Sequence, residues 1–165
     1  MLKKGDRWFR TGDLMRQDRQ GYLYFMDRLG DTFRWKGENV STAEVEQRLS
    51  EAPGVQEVIA YGVEVPGQEG KAGMVGLVLD EKFDAASFAA WADEQLPTYA
   101  RPVFVRMLKS ADTTGTFKYR KVDLVADGFD PDKVDGPVWV RGGKAGYQKL
   151  TPKAREAILS GATRL

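Results

Sequence analysis

The chain of 165 residues contains no cysteine and no histidine. The missing cysteine excludes a disulfide scaffold, a thiolate zinc site and a cysteine nucleophile, and the missing histidine removes the commonest general base and metal ligand. No apolar run approaches the roughly 20 residues that a membrane-spanning helix needs, and no signal-peptide core follows the first residues. We therefore expect a protein that is cytoplasmic or peripheral to a membrane, with no membrane anchor encoded in this chain.

The formal net charge is only +1, but the charged residues are unevenly distributed. Residues 51–100 contain two basic and nine acidic side chains, which argues against a nucleic-acid surface there. Residues 141–165 contain six basic side chains and one acidic side chain, scattered and not clustered as in a polybasic anchor. We expect no nucleic-acid partner, and we favour a solvated tail over a partner contact.

Capping signals predict four helices. Ser41 and Glu44 have the spacing of a capping box before an apolar stripe. Asp84 begins a second helix in the same way, residues 119–125 form a short third helix, and Thr151 followed by proline begins a terminal helix. The segments between these helices are candidates for strands.

Apolar and β-branched runs predict a sheet of about three main strands, at residues 55–65, 72–79 and 103–108. Together with the helices they give an α+β fold, a small domain with a roughly three-stranded sheet flanked by helices. Phe33 and Trp35 alternate with charged residues and are read either as strand core or as part of a functional surface. A β-hairpin that turns at residues 17–21 precedes this unit, and because an isolated hairpin is marginal in water, we expect its sheet neighbours upstream.

The glycine–lysine pairs do not form a phosphate-binding loop. Gly143 lacks a glycine five residues earlier and its lysine is followed by alanine, and the pair at Gly70 fails in the same way. If the protein handles a nucleotide, we expect the triphosphate site on another domain or chain.

Four short motifs occur in a defined order. They are WFRTGDL at residues 8–14, DRLGD followed by GENV within residues 27–40, LPTYARP at residues 96–102 and TGTFKYRK at residues 114–121. Each is weak alone, but in this order and spacing they resemble the C-terminal part of the adenylate-forming enzymes, the superfamily of acyl-CoA synthetases, luciferases and peptide-synthetase adenylation domains. GDTFRWKGENVST at residues 30–42 and the phenylalanine at position 117, where most relatives have glycine, resemble the fatty acid transport protein group of very-long-chain acyl-CoA synthetases.

The resemblance implies an ATP-dependent ligase that joins a long or very long fatty acid to coenzyme A through an acyl-adenylate, with magnesium. It implies that residues 1–30 end a large N-terminal adenylation domain, that residues 31–128 form a mobile C-terminal lid, and that residues 129–165 form a tail with a short helix. The fatty acid and the triphosphate would bind in the missing domain. Alone, the chain is expected to be inactive and to bind no cofactor stably.

The resemblance also implies roles for residues in the adenylation step. Lys118 would be the catalytic residue, because a flexible cation stabilises charge on the attacking carboxylate and the α-phosphate without proton transfer. Its neighbours Arg120 and Lys121 are expected to be solvated or to support a helix. Asp13 and Arg28 would contact the ATP ribose or phosphate, with a turn carboxylate and a surface ion pair as the plain alternatives.

The remaining implied roles belong to the thioester-forming step. Asp31 would be the hinge about which the lid rotates between half-reactions, or simply a turn carboxylate. Arg34, Lys36 and Gly37 would form the face that binds coenzyme A, with Gly37 letting the pantetheine arm pass close to the backbone. No residue is assigned to a metal.

Two other functions stay open at this point. A lid of the same kind serves enzymes for other carboxylic acids, such as bile acids, aryl acids or amino acids, because the acid is selected in the missing domain. A non-catalytic interaction module of the same fold is the second alternative.

Overall fold

The computed structural model describes residues 13–28, 32–109, 120–142, 146–163 and 165. The mixed α and β fold predicted from the sequence is confirmed, with a second hairpin, β3–β4, added before the first helix. Within the described residues the elements follow in the order β1 (Asp13–Gln17), β2 (Leu23–Arg28), β3 (Thr32–Trp35), β4 (Glu38–Ser41), α1 (Thr42–Ser50), β5 (Val55–Glu64), β6 (Lys71–Leu79), α2 (Ala85–Gln95), β7 (Phe104–Met107), α3 (Lys121–Asp127), β8 (Val138–Arg141), β9 (Tyr147–Lys149) and α4 (Pro152–Leu159).

The central sheet has the strand order β5-β6-β7-β8-β9. β6 and β7 are parallel and the other neighbours are antiparallel, so α2 supplies the crossover that parallel neighbours require. The three predicted main strands are β5, β6 and β7. β8 and β9 are two further strands, and they come from the segment that the sequence described as a looser tail.

Three helices begin where capping signals place them. The side chains accept hydrogen bonds from first-turn amides that lack helical partners: Glu44 N to Ser41 Oγ at 3.3 Å, Ser87 N to Asp84 Oδ2 at 2.7 Å and Ala154 N to Thr151 Oγ1 at 3.2 Å. The bond from the Ser87 amide is the main reason why the pKa of Asp84 is lowered from its ordinary value. The start of each helix is therefore fixed locally.

Both faces of the central sheet are covered by aromatic side chains. On one face, a Cβ added to Gly73 would lie 3.2 Å from the Phe33 ring, so β3 packs directly on the sheet. On the other face, Phe104 stacks on Phe129 with ring centroids 4.4 Å apart. Phe104 pairs with Met74, which follows Gly73 in β6, and successive residues of a strand point to opposite faces. The sheet is therefore the middle layer of the core.

Gly70 marks the place where the β3–β4 hairpin contacts the sheet, through an isolated bridge to Trp35. Its φ is +85°, and an added Cβ would lie 2.2 Å from the Arg34 carbonyl oxygen. Gly67, with φ +74°, has no atom within 4 Å of an added Cβ. Gly67→Ala is expected to cost about 1–2 kcal/mol through left-handed strain alone, and Gly70→Ala about 1–3 kcal/mol more through the clash.

Urea unfolding of the two variants of the chain measures this difference. Equal losses of free energy of unfolding would show that the hairpin moves away from residue 70 without cost.

The β1–β2 hairpin forms a separate two-stranded sheet. Its turn is fixed by Asp18, whose carboxylate accepts bonds from the Tyr22 amide at 3.0 Å and the Tyr24 hydroxyl at 2.8 Å. Several of its large apolar side chains are exposed: Met15, Tyr22, Leu23, Tyr24 and Phe25. The earlier part of the predicted hairpin, before Asp13, lies outside the described residues. None of the helices in the described part of the chain combines the length and apolar character of a membrane span.

Candidate functional site

The residues predicted for the thioester-forming face lie on the β3–β4 hairpin. Along β3, Phe33 and Trp35 are buried and Arg34 is exposed, so the strand-core interpretation of the two aromatic residues is confirmed. The Lys36 Nζ lies 5.6 Å from the centroid of the Trp35 ring, a cation–π contact. The hairpin therefore presents two cations to solvent and is held from behind by two buried rings.

Gly37 has a structural explanation beside the predicted functional one. Lys36 and Gly37 connect β3 and β4 with φ values of 51° and 86°. Positive φ at both central positions is the pattern of a type I′ turn, which matches the twist of hairpin strands and favours glycine. An added Cβ at Gly37 would meet no heavy atom within 4 Å. The turn alone accounts for the glycine, and the open space also leaves room for a ligand beside the backbone.

Asp13 and Arg28 are brought together by the first hairpin. They are cross-strand partners in the register of β1 and β2. Asp13 is half-buried, while the side chain of Arg28 lies outside the described residues. The register is compatible with a shared ribose contact and equally with an ion pair.

The predicted catalytic residue Lys118 and the predicted hinge Asp31 lie outside the described residues. Both flanks of the segment that contains Lys118 are described: Lys109 follows β7, and Arg120 precedes α3. Asp31 directly precedes Thr32, the first residue of β3.

The two cations after Lys118 have different surroundings. Arg120 is exposed and pairs with Asp123 at 2.8 Å within the first turn of α3. Lys121 is half-buried, and its Nζ donates to Thr42 Oγ1 at 3.0 Å and pairs with Glu46 Oε1 at 3.1 Å. Lys121 is therefore not a solvated side chain, and the helix-supporting alternative fits both residues.

Sequence analysis did not single out a buried polar group beneath α3. Arg106 is 6% exposed, and its Nη1 donates to Asp127 Oδ2 at 3.0 Å. Burial raises the pKa of Tyr61 to about 12, and the nearby Arg106 guanidinium opposes part of this rise. The available signal was a single arginine within the otherwise apolar strand VFVRML, since a charge in such a position must be paired. The pair ties the end of α3 to β7.

The motif at residues 96–102 joins α2 to the tail. Arg101 donates from Nε to the Leu96 carbonyl at 2.9 Å and from Nη2 to the Asp93 carbonyl at 2.8 Å. Carbonyls at the end of a helix have no helical partner, so Arg101 closes α2. The Tyr147 hydroxyl donates to the Pro102 carbonyl at 2.8 Å. The contacts of this motif are structural.

The chemistry of the described side chains suits phosphorylated ligands. Arg34 and Lys36 are exposed, and guanidinium and ammonium groups bind phosphate oxygens. In the described ranges, no group of three or more carboxylates lies close enough together to hold a metal ion.

The model of a family described as AMP-binding enzyme C-terminal domain matches residues 44–118. The match begins within the first turn of α1 and ends at Lys118. This chain carries an AMP-binding enzyme C-terminal domain. The resemblance to the C-terminal part of the adenylate-forming enzymes, predicted from the four motifs, is confirmed.

Curated relatives are similar to the chain over its whole length. Long-chain fatty acid transport protein 6 of Mus musculus is 45% identical over 100% of this chain and 27% of the relative. Long-chain fatty acid transport protein 3 of Homo sapiens is 46% identical over 100% of this chain and 25% of the relative. The chain therefore spans about a quarter of the length of these relatives.

Solved structures give the same result for the fold. An o-succinylbenzoate CoA synthetase from Bacillus subtilis, in complex with its acyl-adenylate intermediate, is 34% identical with a TM-score of 0.56, over 65% of this chain and 22% of that one. A fatty acyl CoA synthetase of Mycobacterium tuberculosis is 33% identical with a TM-score of 0.55, over 72% of this chain and 24% of that one. The AMP-binding enzyme C-terminal domain of this chain thus has a fold that is also found in acyl-CoA synthetases.

Proposed function

We propose that this chain is the C-terminal part of an ATP-dependent ligase for long-chain or very-long-chain fatty acids. The carboxylate attacks the α-phosphate of MgATP to give an acyl-adenylate and pyrophosphate, and the coenzyme A thiol then displaces AMP to give the thioester. The 45% identity with long-chain fatty acid transport protein 6 of Mus musculus across the whole chain carries this proposal. The structural likeness to a fatty acyl CoA synthetase supports it.

The proposed roles are divided between two domains. Residues 1–30 end a large adenylation domain that binds the acid and the triphosphate, and residues 31–128 form the lid that rotates on it, with residues 129–165 as its tail. This missing domain is the principal partner of the chain. The chain holds no cofactor stably by itself, and a cytoplasmic or peripheral membrane location remains part of the proposal.

One face of the lid serves adenylation. Lys118 stabilises the charge that builds up on the attacking carboxylate and the α-phosphate, which a preorganised cation does without proton transfer. Asp13 accepts bonds from the ribose hydroxyls and Arg28 donates to the ribose or a phosphate. The cross-strand pairing of Asp13 and Arg28 supports a joint role.

The other face serves thioester formation. Arg34 and Lys36 lie exposed on the β3–β4 hairpin, where they are suited to the phosphates of coenzyme A. The open space beside Gly37 admits the pantetheine arm. Asp31, directly before β3, is the hinge that turns this face toward the acyl-adenylate.

A second candidate is a ligase for another carboxylic acid. It is favoured by the o-succinylbenzoate CoA synthetase, which is 34% identical over 65% of this chain. In both candidates this chain performs the same steps, because the acid is bound by the missing domain.

The experiment compares the isolated chain with a full-length protein in which an adenylation domain precedes it. With MgATP, coenzyme A and palmitate, the full-length protein is expected to release acyl-CoA and AMP, and the isolated chain nothing above the blank. A panel of very-long-chain, bile, aryl and amino acids in the same assay separates the two candidates. Turnover by the isolated chain, or a full-length protein that activates no acid, would contradict the proposal.

A further inference from the structure

Helix α3 begins without a capping side chain of its own. Its N-cap residue is Arg120, which makes no side-chain bond to the first-turn amides. The helix has only seven residues, and helices this short are not stable without packing. Its position must therefore come from tertiary contacts.

Lys121, the first residue of α3, supplies such a contact. Its Nζ reaches two residues of α1, Thr42 Oγ1 at 3.0 Å and Glu46 Oε1 at 3.1 Å. The same Glu46 oxygen accepts a bond from the Ala60 amide at 2.9 Å, on the edge strand β5 of the sheet. Side chains of the pair are 31% and 29% exposed, so solvent screens this charge-assisted contact less than a surface pair.

The other end of α3 is also fixed. Asp127, its last residue, pairs with the buried Arg106 of β7 at 3.0 Å. Leu124, in the middle of the helix, is 2% exposed. With both ends and the middle held, α3 cannot shift along the sheet without breaking one of these contacts. Lys109, on the far side of the Lys118 segment, pairs with Asp135 at 3.1 Å, but these side chains are 79% and 84% exposed, and such pairs contribute little.

We propose that Lys121, held by Glu46 and Thr42, is a positioning residue that fixes where the chain carrying Lys118 joins the domain. The proposal rests on the proposed function. Lys118 precedes Lys121 by three residues in the sequence, and three residues of chain span at most about 11 Å. Thr42 directly follows β4. The bond between Lys121 and Thr42 therefore also joins the start of α3 to the β3–β4 hairpin, which carries the residues proposed for thioester formation.

The test measures both half-reactions of the full-length protein. Lys121→Met and Glu46→Gln are each expected to lower kcat for adenylation, measured by ATP–pyrophosphate exchange, about tenfold, because a small displacement of a catalytic group slows the chemical step. The KM for ATP, and the rate of thioester formation from supplied acyl-adenylate, are each expected to change less than about twofold, because the proposal gives Lys121 no contact with ATP or coenzyme A. Glu46→Gln keeps an oxygen for the Ala60 amide and removes only the charge.

Three further variants separate positioning from folding. Lys121→Arg is expected to retain most of the adenylation rate, and the exposed control Lys109→Met all of it within about twofold. The double variant of Lys121→Met and Glu46→Gln is expected to be no slower than the worse single variant, because both substitutions disrupt the same ion pair. Thermal unfolding of each variant checks that the protein is folded at the assay temperature.

The outcomes distinguish failure of this proposal from failure of the proposed function. Unchanged adenylation in Lys121→Met, equal loss in both half-reactions, or losses that multiply in the double variant would overturn the positioning role. Lys118→Ala is measured beside them. If Lys118→Ala slows adenylation and Lys121→Met does not, only the role of Lys121 falls; if Lys118→Ala has no effect, the role of Lys118 falls and that of Lys121 with it.

Discussion

Replacing Lys118 by alanine in the full-length protein is expected to slow acyl-adenylate formation about 10²–10³-fold, as does removal of one preorganised group that stabilises transition-state charge. Thioester formation from supplied acyl-adenylate is expected to stay near the wild-type rate, because the phosphate bond is already broken in that substrate. ATP–pyrophosphate exchange with palmitate measures the first half-reaction, and transfer of the acyl group from synthetic acyl-adenylate to coenzyme A measures the second.

Arg120→Ala is the matched control for this variant. Arg120 is a cation two residues away whose side chain is 79% exposed and pairs with Asp123, and loss of such a pair is expected to change either rate less than about twofold. Equal losses in both half-reactions of Lys118→Ala would indicate a structural role for Lys118. Full activity of Lys118→Ala would leave a non-catalytic lid as the better interpretation.

Gly37→Leu is expected to show the reverse pattern in the same pair of assays, with thioester formation slowed about tenfold or more and adenylation near normal. The space beside Gly37 is open, so the substitution costs only left-handed strain, about 1–2 kcal/mol. Gly67, in the loop between β5 and β6, also has a positive φ, +74° against +86° for Gly37, and the same open space, so Gly67→Leu controls for that strain. If Lys118→Ala and Gly37→Leu slowed the same half-reaction, the assignment of two faces would be wrong.

The features that the sequence predicted well are those decided by neighbouring residues. The caps at Ser41, Asp84 and Thr151 depend on a side chain and an amide three residues away, so their spacing is sufficient to locate the helix starts. Burial of Phe33 and Trp35 likewise follows from alternation along one strand.

Features that depend on distant partners could not be predicted in this way. β8 (VWVR) and β9 (YQK) are short and show no sustained alternation of apolar and polar residues, and they are strands because β7 supplies an edge for β8 to pair with. The burial of Lys121 depends on Thr42 and Glu46, which lie in α1, far earlier in the sequence. In the candidate site, sequence motifs therefore predicted residues that would bind ligands, and the structure was needed to find the contacts that Lys121 makes with Thr42 and Glu46.

Phe129→Ala in the isolated chain is expected to lower the free energy of unfolding by about 3–5 kcal/mol, the usual cost of removing a buried phenylalanine. Phe129 is 6% exposed and stacks on Phe104, which is fully buried, at a centroid distance of 4.4 Å and an interplanar angle of 6°. It is the first residue of the segment described from sequence as a looser tail. A large loss at this position would show that residues 129–165 fold with the central sheet.

Phe25→Ala is the matched control, because Phe25 is 57% exposed on the β1–β2 hairpin, and its loss is expected to change stability by no more than about 0.5 kcal/mol. Urea unfolding followed by tryptophan fluorescence is suited to the comparison, since Trp139 lies in β8 and Trp35 in β3. One transition with an unchanged slope, shifted to lower urea in Phe129→Ala, is the expected result. Two separate transitions, or a loss in Phe129→Ala as small as in the control, would mean that the tail folds independently, because the Phe104 face of the sheet would then be stable without it.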